Sequence, residues 1–190
     1  MKLELQWRGP YGAGLFPEAA EGVDDLMRAG VYLRVKRYAG ARVIAYVGQS
    51  KQILARIDQH VGAMLSLTHV LRDGDGQVCF RPTFDARLRA LNDIERIAGL
   101  ALAEARRMRF YCAFCADGFD SDFLGLVEYL LMRRIGDSGE AENVNHPPVA
   151  EFDSEVIVES EYSALIGEDE KMLRGLIGAA ALAWEECLDG

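Results

Sequence analysis

Between Val31 and Ser50 the chain carries two runs of alternating side chains around a tight turn, and no other stretch limits the fold as strongly. In the first run Val31, Leu33 and Val35 fall on one side and Tyr32, Arg34 and Lys36 on the other, which is the period of a β-strand. Ala39-Gly40-Ala41-Arg42 supplies the turn and Val43 to Val47 the return strand, so the pair reads as a β-hairpin. Gly48 and Ser50 stop it, and Ser50 is placed to cap a helix over about 51–65. The rest of the middle follows suit. Leu88, Leu91, Ile94, Ile97, Ala101 and Leu102 predict one amphipathic helix over 85–107, then come a strand over 108–116 and a helix over 123–135 opened by Asp120-Ser121-Asp122. The order β-β-α-α-β-α predicts an α+β fold, a small, mostly antiparallel sheet flanked by helices.

Three segments stand outside that order. Residues 1–29 are read as an N-terminal extension, with a short strand at 2–7, a break at Pro10 to Gly14 and a helix over 17–29. Residues 66–84, centred on Asp73-Gly74-Asp75-Gly76, read as an insertion into a domain spanning 30–148. Residues 149–190 are read as an acidic extension holding a strand at 155–160 and a terminal helix over 169–188.

Charge supports this division. The net charge of −9 argues against nucleic acid at first sight. Residues 147–190, however, hold two basic and eleven acidic side chains, whereas residues 30–146 hold sixteen basic and fourteen acidic. The middle is thus mildly basic, and the acidic end reads as a solvated face or a docking surface for a protein partner. No apolar run reaches the roughly 18 residues of a membrane span, and the first residues lack a signal-peptide core, so a cytoplasmic protein without membrane contact is expected. Cys112 and Cys115 have CxxC spacing without a second ligand pair, so they are expected as structural thiols on opposite faces of a strand.

Certain polar residues look chemical. Glu128 is the only charged side chain from Phe123 to Met132, so it must be paired, protonated or bound to a cation. Arg56 and His60 share one helix face, four residues apart; the first can grip a phosphate and the second can move a proton near neutral pH. Tyr32 and Tyr46 sit one on each strand of the hairpin.

In this order Gly30-Val31-Tyr32, Tyr46-Val47-Gly48, Arg56, His60, Glu128 and a following Asn resemble the GIY-YIG nuclease family, whose members include homing and restriction endonucleases and the incision module of bacterial excision repair. Val stands for Ile in both triplets, and Gln49 stands where many members have Lys. The closing Asn is Asn143 or Asn145, with Asn145 preferred. The resemblance implies a metal-dependent endonuclease acting on DNA in preference to RNA through one Mg²⁺ or Mn²⁺ ion. Glu128 would hold that ion, Arg56 would neutralise the phosphate, and Tyr32 would act as general base with help from His60. Tyr46 would orient water or phosphate, and Asn145 would support the site. The alternative from residues alone is a non-catalytic binding subunit of a nucleic-acid-processing complex. A dimer would let a single-site enzyme cut two strands.

Overall fold

The computed structural model describes residues 2–17, 23–115, 118–119, 121–143, 145, 156–178 and 181–184. In chain order the elements are β1 (Lys2–Tyr11), β2 (Gly30–Arg37), β3 (Val43–Ser50), α1 (Ile53–Leu65), β4 (Leu71–Arg72), β5 (Val78–Phe80), α2 (Phe84–Leu91), α3 (Ile94–Arg107), β6 (Arg109–Cys115), α4 (Ser121–Ser138), β7 (Glu142–Asn143), β8 (Val156–Glu161), α5 (Gly167–Ile177) and β9 (Leu182–Trp184). The protein is α+β, with helices on both faces of a sheet. Among the described residues no helix is long and apolar enough to cross a membrane.

The sheet is larger than the sequence predicts, and it is mixed. Seven strands run in the order β7-β3-β2-β6-β1-β8-β9, with β7 parallel to β3 and β8 parallel to β1. The expected hairpin forms, pairing Tyr32 with Gly48 and Arg34 with Tyr46. The ends of the chain belong to the same sheet. β1 runs well past the expected 2–7, lies between β6 and β8, and buries Leu5 and Trp7 completely. A ten-residue strand with alternating apolar residues has two free edges to satisfy, and β6 and β8 supply both ladders.

Period-two alternation puts a different core on each face. Val31, Leu33, Val35 and Val47 pack under α4 and α5, with Val127, Leu131, Leu173 and Leu176. Tyr32, Phe110 and Cys112 pack under α1 and α3, with Ile57, Met64, Ile97 and Ala101. Cys112 and Cys115 do fall on opposite faces, both buried and unbonded.

Local chemistry accounts for the remaining differences. The single helix expected over 85–107 is two helices, because Asn92 ends α2 as its C-cap and Asp93 leaves helical geometry to become the N-cap of α3. That break turns Leu88, Leu91 and Ile94 to solvent and keeps Ile97 and Ala101 inside. The terminal helix stops at Ile177, since Gly178 adopts φ +93°, and β9 follows it. Ser50 does not cap α1; Gln52 holds that position without a side-chain bond, and Ser50 turns back onto the Gln52 backbone. The expected helix over 17–29 is a short 3-10 turn at Asp24–Met27 within the described residues, and residues 18–22 lie outside them. The capping side chains at 120–122, the side chain of Asn143, residues 146–155 and Cys187 also lie outside the described residues.

Candidate active site

The hairpin and the first turns of α1 build the site. Residues 32, 34, 36, 46 and 48 share one sheet face by alternation, and α1 lies across it. Tyr32 crosses its neighbour strand over Gly48, where any Cβ would meet the Tyr32 Oη at 2.3 Å. Glycine is therefore required here for space. Gly48→Ala should displace the Tyr32 ring and cost about 1–3 kcal/mol, readable as a lower urea midpoint with an unchanged slope.

Two α1 side chains meet that phenol. Arg56 Nε donates to Tyr32 Oη at 3.2 Å, and His60 Nε2 lies 2.8 Å from the same oxygen. The Tyr32 and Tyr46 rings stack with centroids 6.2 Å apart. The other His60 nitrogen, Nδ1, faces Arg34 NH1 at 3.0 Å. A guanidinium has only donors, so Nδ1 must accept and Nε2 must carry the proton. His60 thus donates to Tyr32. The Tyr32 oxygen receives two hydrogen bonds, and its own proton is free to donate elsewhere.

The charges on the ring follow from this packing. Burial, with the nearby charges of Arg34 and Arg56, pulls His60 down to about 3, so it is neutral at neutral pH. This differs from the proton carrier expected from sequence, which had no means of placing two guanidiniums beside the ring. The native His60 resists protonation, while the unfolded one takes a proton near pH 6.5. Its contribution to stability is whole above that pH and is lost as pH falls toward 3, by at most about 1.4 kcal/mol per unit. His60→Gln should flatten the pH dependence of stability in that window, measured by urea unfolding at a series of pH values. Burial also pushes the Tyr32 phenol up, opposed by the Arg56 hydrogen bond and the charges of Arg56 and Arg34.

Exposure separates the two tyrosines. Tyr32 is 1% exposed, sealed behind Arg56 and His60, whereas Tyr46 is half-buried and lines an open groove of about 380 Å³ with Arg56. The phenol that an incoming group meets is that of Tyr46. Tyr32 holds Arg56 from behind.

Glu128 approaches from α4, which covers the opposite face. Beyond the two-residue ladder with β7, the outer margin of β3 at Gly48 and Gln49 carries no further strand among the described residues, and Glu128 meets that margin. Gln49 Nε2 donates to Glu128 Oε2 at 3.1 Å. Burial raises the Glu128 carboxyl above its ordinary value, against the Gln49 hydrogen bonds and the charge of Arg56. Glu128 is therefore half-buried and within electrostatic reach of Arg56. Gln49 orients the carboxylate without neutralising it, as a lysine there would.

Asn145 is bonded to the backbone of β3. Its Nδ2 donates to Val47 O at 2.7 Å, and its Oδ1 accepts from Val47 N at 3.3 Å. The side chain takes the place of a strand residue at that edge, so it supports the site through the position of β3.

Sequence reasoning passed over Arg34, Lys36 and Glu104. Lys36 and Arg34 fall on the Tyr32 side of the hairpin, and they are only 5% and 8% exposed. Glu104 is fully buried; Lys36 Nζ lies 2.6 Å from its Oε2, and Tyr38 Oη donates to Oε1 at 2.9 Å. A signal existed: Glu104 falls on the Ile97–Ala101 stripe of its helix, where an acid demands a partner.

Among the described residues no group of three or more His, Cys, Asp and Glu is placed to hold a metal ion. Comparison with protein-family models, with curated proteins and with solved structures returned no match to this chain.

Proposed function

We propose that the protein is a metal-dependent endonuclease of GIY-YIG type that hydrolyses phosphodiester bonds, DNA being the favoured substrate. The observation that carries this reading is the meeting of Arg56, Tyr46 and His60 at one groove, with Tyr32 bonded to Arg56 and His60 behind it and the Glu128 carboxylate at the margin of β3. Phosphodiester hydrolysis needs charge neutralised on the non-bridging oxygens and an oriented water.

Arg56 serves the first need. Its Nε is fixed by Tyr32 and its NH1 by Gln59 at 2.7 Å, which presets the plane of the fork toward the groove. Tyr46 offers a hydroxyl beside it to orient the attacking water. His60 is a neutral donor that keeps Tyr32, and through it Arg56, in position.

Glu128 fits a single hard cation. Mg²⁺ and Mn²⁺ take one or two carboxylates and keep most of their waters, so one uncancelled carboxylate suffices where the described residues hold no cluster of three such ligands. When bound, such an ion would supply Lewis acidity for the phosphate and the leaving oxygen.

Relaxation of supercoiled plasmid tests the proposal. The wild type should nick it with Mg²⁺ or Mn²⁺ and not with EDTA, and Arg56→Ala should slow nicking by about 10²–10³-fold. Equal nicking by wild type and Arg56→Ala, or none by the wild type with either ion, would remove the reading.

A further inference from the structure

Arg34 is the oddest charge in the molecule. It is 8% exposed, yet among the described residues it has no carboxylate partner. Its contacts are the neutral His60 Nδ1 at 3.0 Å and the Tyr46 ring face, 4.8 Å from the guanidinium carbon. The neighbouring cations are compensated differently: Lys36 pairs with Glu104 at 2.6 Å and Arg72 with Glu142 at 3.1 Å. A buried cation without a counter-ion is costly to fold around, and Arg cannot escape by losing its proton. No buried side-chain nitrogen or oxygen among the described residues lacks a partner, so an Arg34 N–H not bonded within the protein keeps access to solvent, and Arg34 lines the groove.

The groove fits an anion. Arg34, Lys36, Arg56, His69 and Arg72 stand on its walls, and none of the side chains lining it is acidic. The His69 ring lies 6.0 Å from that of His60, and its Nδ1 is turned to the Thr68 carbonyl at 3.3 Å. The carbonyl can only accept, so Nδ1 carries the proton and Nε2 of the neutral ring is a lone pair. Nε2 meets an anion as a donor only when the bound phosphate draws a second proton onto the ring, against the burial that lowers its pKa.

We propose that Arg34 and His69 form a second phosphate subsite beside Arg56, seating the strand phosphate next to the one that Arg56 grips. The inference rests on the nuclease reading and adds to it where the strand runs: from the Arg56 end of the groove past Tyr46 toward Arg72. Within the protein the Glu104 carboxylate acts on Arg34 only at a distance, without an ion pair; the phosphate would supply the direct counter-charge.

Pyrophosphate and a twelve-residue oligothymidylate, both in EDTA, are the probes. Pyrophosphate should raise the melting temperature of the wild type and shift the His69 imidazole resonances. Arg34→Met should weaken its binding about tenfold. The same variant should reduce the slope of log K against log salt for the oligonucleotide by roughly 0.7, one single-strand phosphate contact. If Arg34→Met does not fold, His69→Ala carries the test, with pyrophosphate binding about threefold weaker. Binding unaffected by the variants overturns the subsite, as does pyrophosphate binding through Arg34 with an unchanged oligonucleotide slope. The two readings fail separately. Plasmid nicking with no Arg34 effect removes the subsite alone, and Arg34-dependent binding of both probes without nicking removes the nuclease alone.

Discussion

Glu128→Gln is expected to slow plasmid nicking by about 10³-fold or more while melting no lower than the wild type. The first half follows from the loss of the one carboxylate that the described residues bring to the site: cation chemistry contributes several kcal/mol to phosphoryl transfer, and an amide oxygen holds Mg²⁺ poorly. The second half follows from burial. The Glu128 carboxyl is raised above its ordinary value, so the folded protein favours the protonated form and its charge is a burden near neutral pH. A raised acid contributes stability at low pH that is lost as pH rises through the folded value, and Gln removes that loss. A core residue of α4 would show the opposite pattern, with stability falling and activity following it. Nicking by the wild type should also decline on acidification at a higher pH than an ordinary carboxylate would dictate. A variant that melts well below the wild type, or that nicks at a comparable rate, would refute this role for Glu128.

The largest loss of stability is expected from Glu104→Leu. Glu104 is fully buried and holds Lys36 Nζ at 2.6 Å with the Tyr38 hydroxyl at 2.9 Å. Burial pulls the Lys36 ammonium down to about 8 even with that carboxylate beside it, which measures how dry the site is. Removing the acid leaves a buried cation unpaired, at about 3–5 kcal/mol. For a chain of this length that corresponds to a fall of about 6–20 °C in melting temperature. The double variant Lys36→Met/Glu104→Leu should recover much of the loss, because an apolar pair of similar volume replaces both charges. A urea-based double-mutant cycle with an interaction energy of about 1.5 kcal/mol or more is the expected result. Additive effects would mean that Lys36 finds water when Glu104 is gone. The pair matters for function through β2: Lys36, Arg34 and Tyr32 share one side of that strand, so a strand that shifts at Lys36 disturbs the hydroxyl that holds Arg56.

Much of the hairpin was legible from residues alone. Period-two alternation put Val31, Leu33 and Val35 on one face and Tyr32, Arg34 and Lys36 on the other, and that division separates the two cores. The helix after the hairpin and the four-residue step from Arg56 to His60 set both side chains toward the tyrosines. The isolation of Glu128 among apolar residues marked it for a special environment, and it is half-buried against Gln49.

Other features arose only from long-range pairing. The same alternation placed Arg34 and Lys36 on the Tyr32 side without deciding their exposure, because a strand pattern says which side a residue faces and nothing of what covers that side. α1 and α3 cover it, and two cations became interior. Likewise the charge state of His60 depends first on its burial and then on two guanidiniums, one from a strand and one from its own helix. Local sequence thus determined the elements, their faces and the set of polar groups available, since those depend on torsions and spacing within a few residues. Tertiary structure decided that β1 and β8 complete the sheet, that Tyr46 meets the groove while Tyr32 stands behind it, and that Glu104 answers Lys36. Such outcomes depend on contacts between distant parts of the chain, as between Trp7 and Ser160, 153 residues apart, whose burial and dielectric no local pattern encodes.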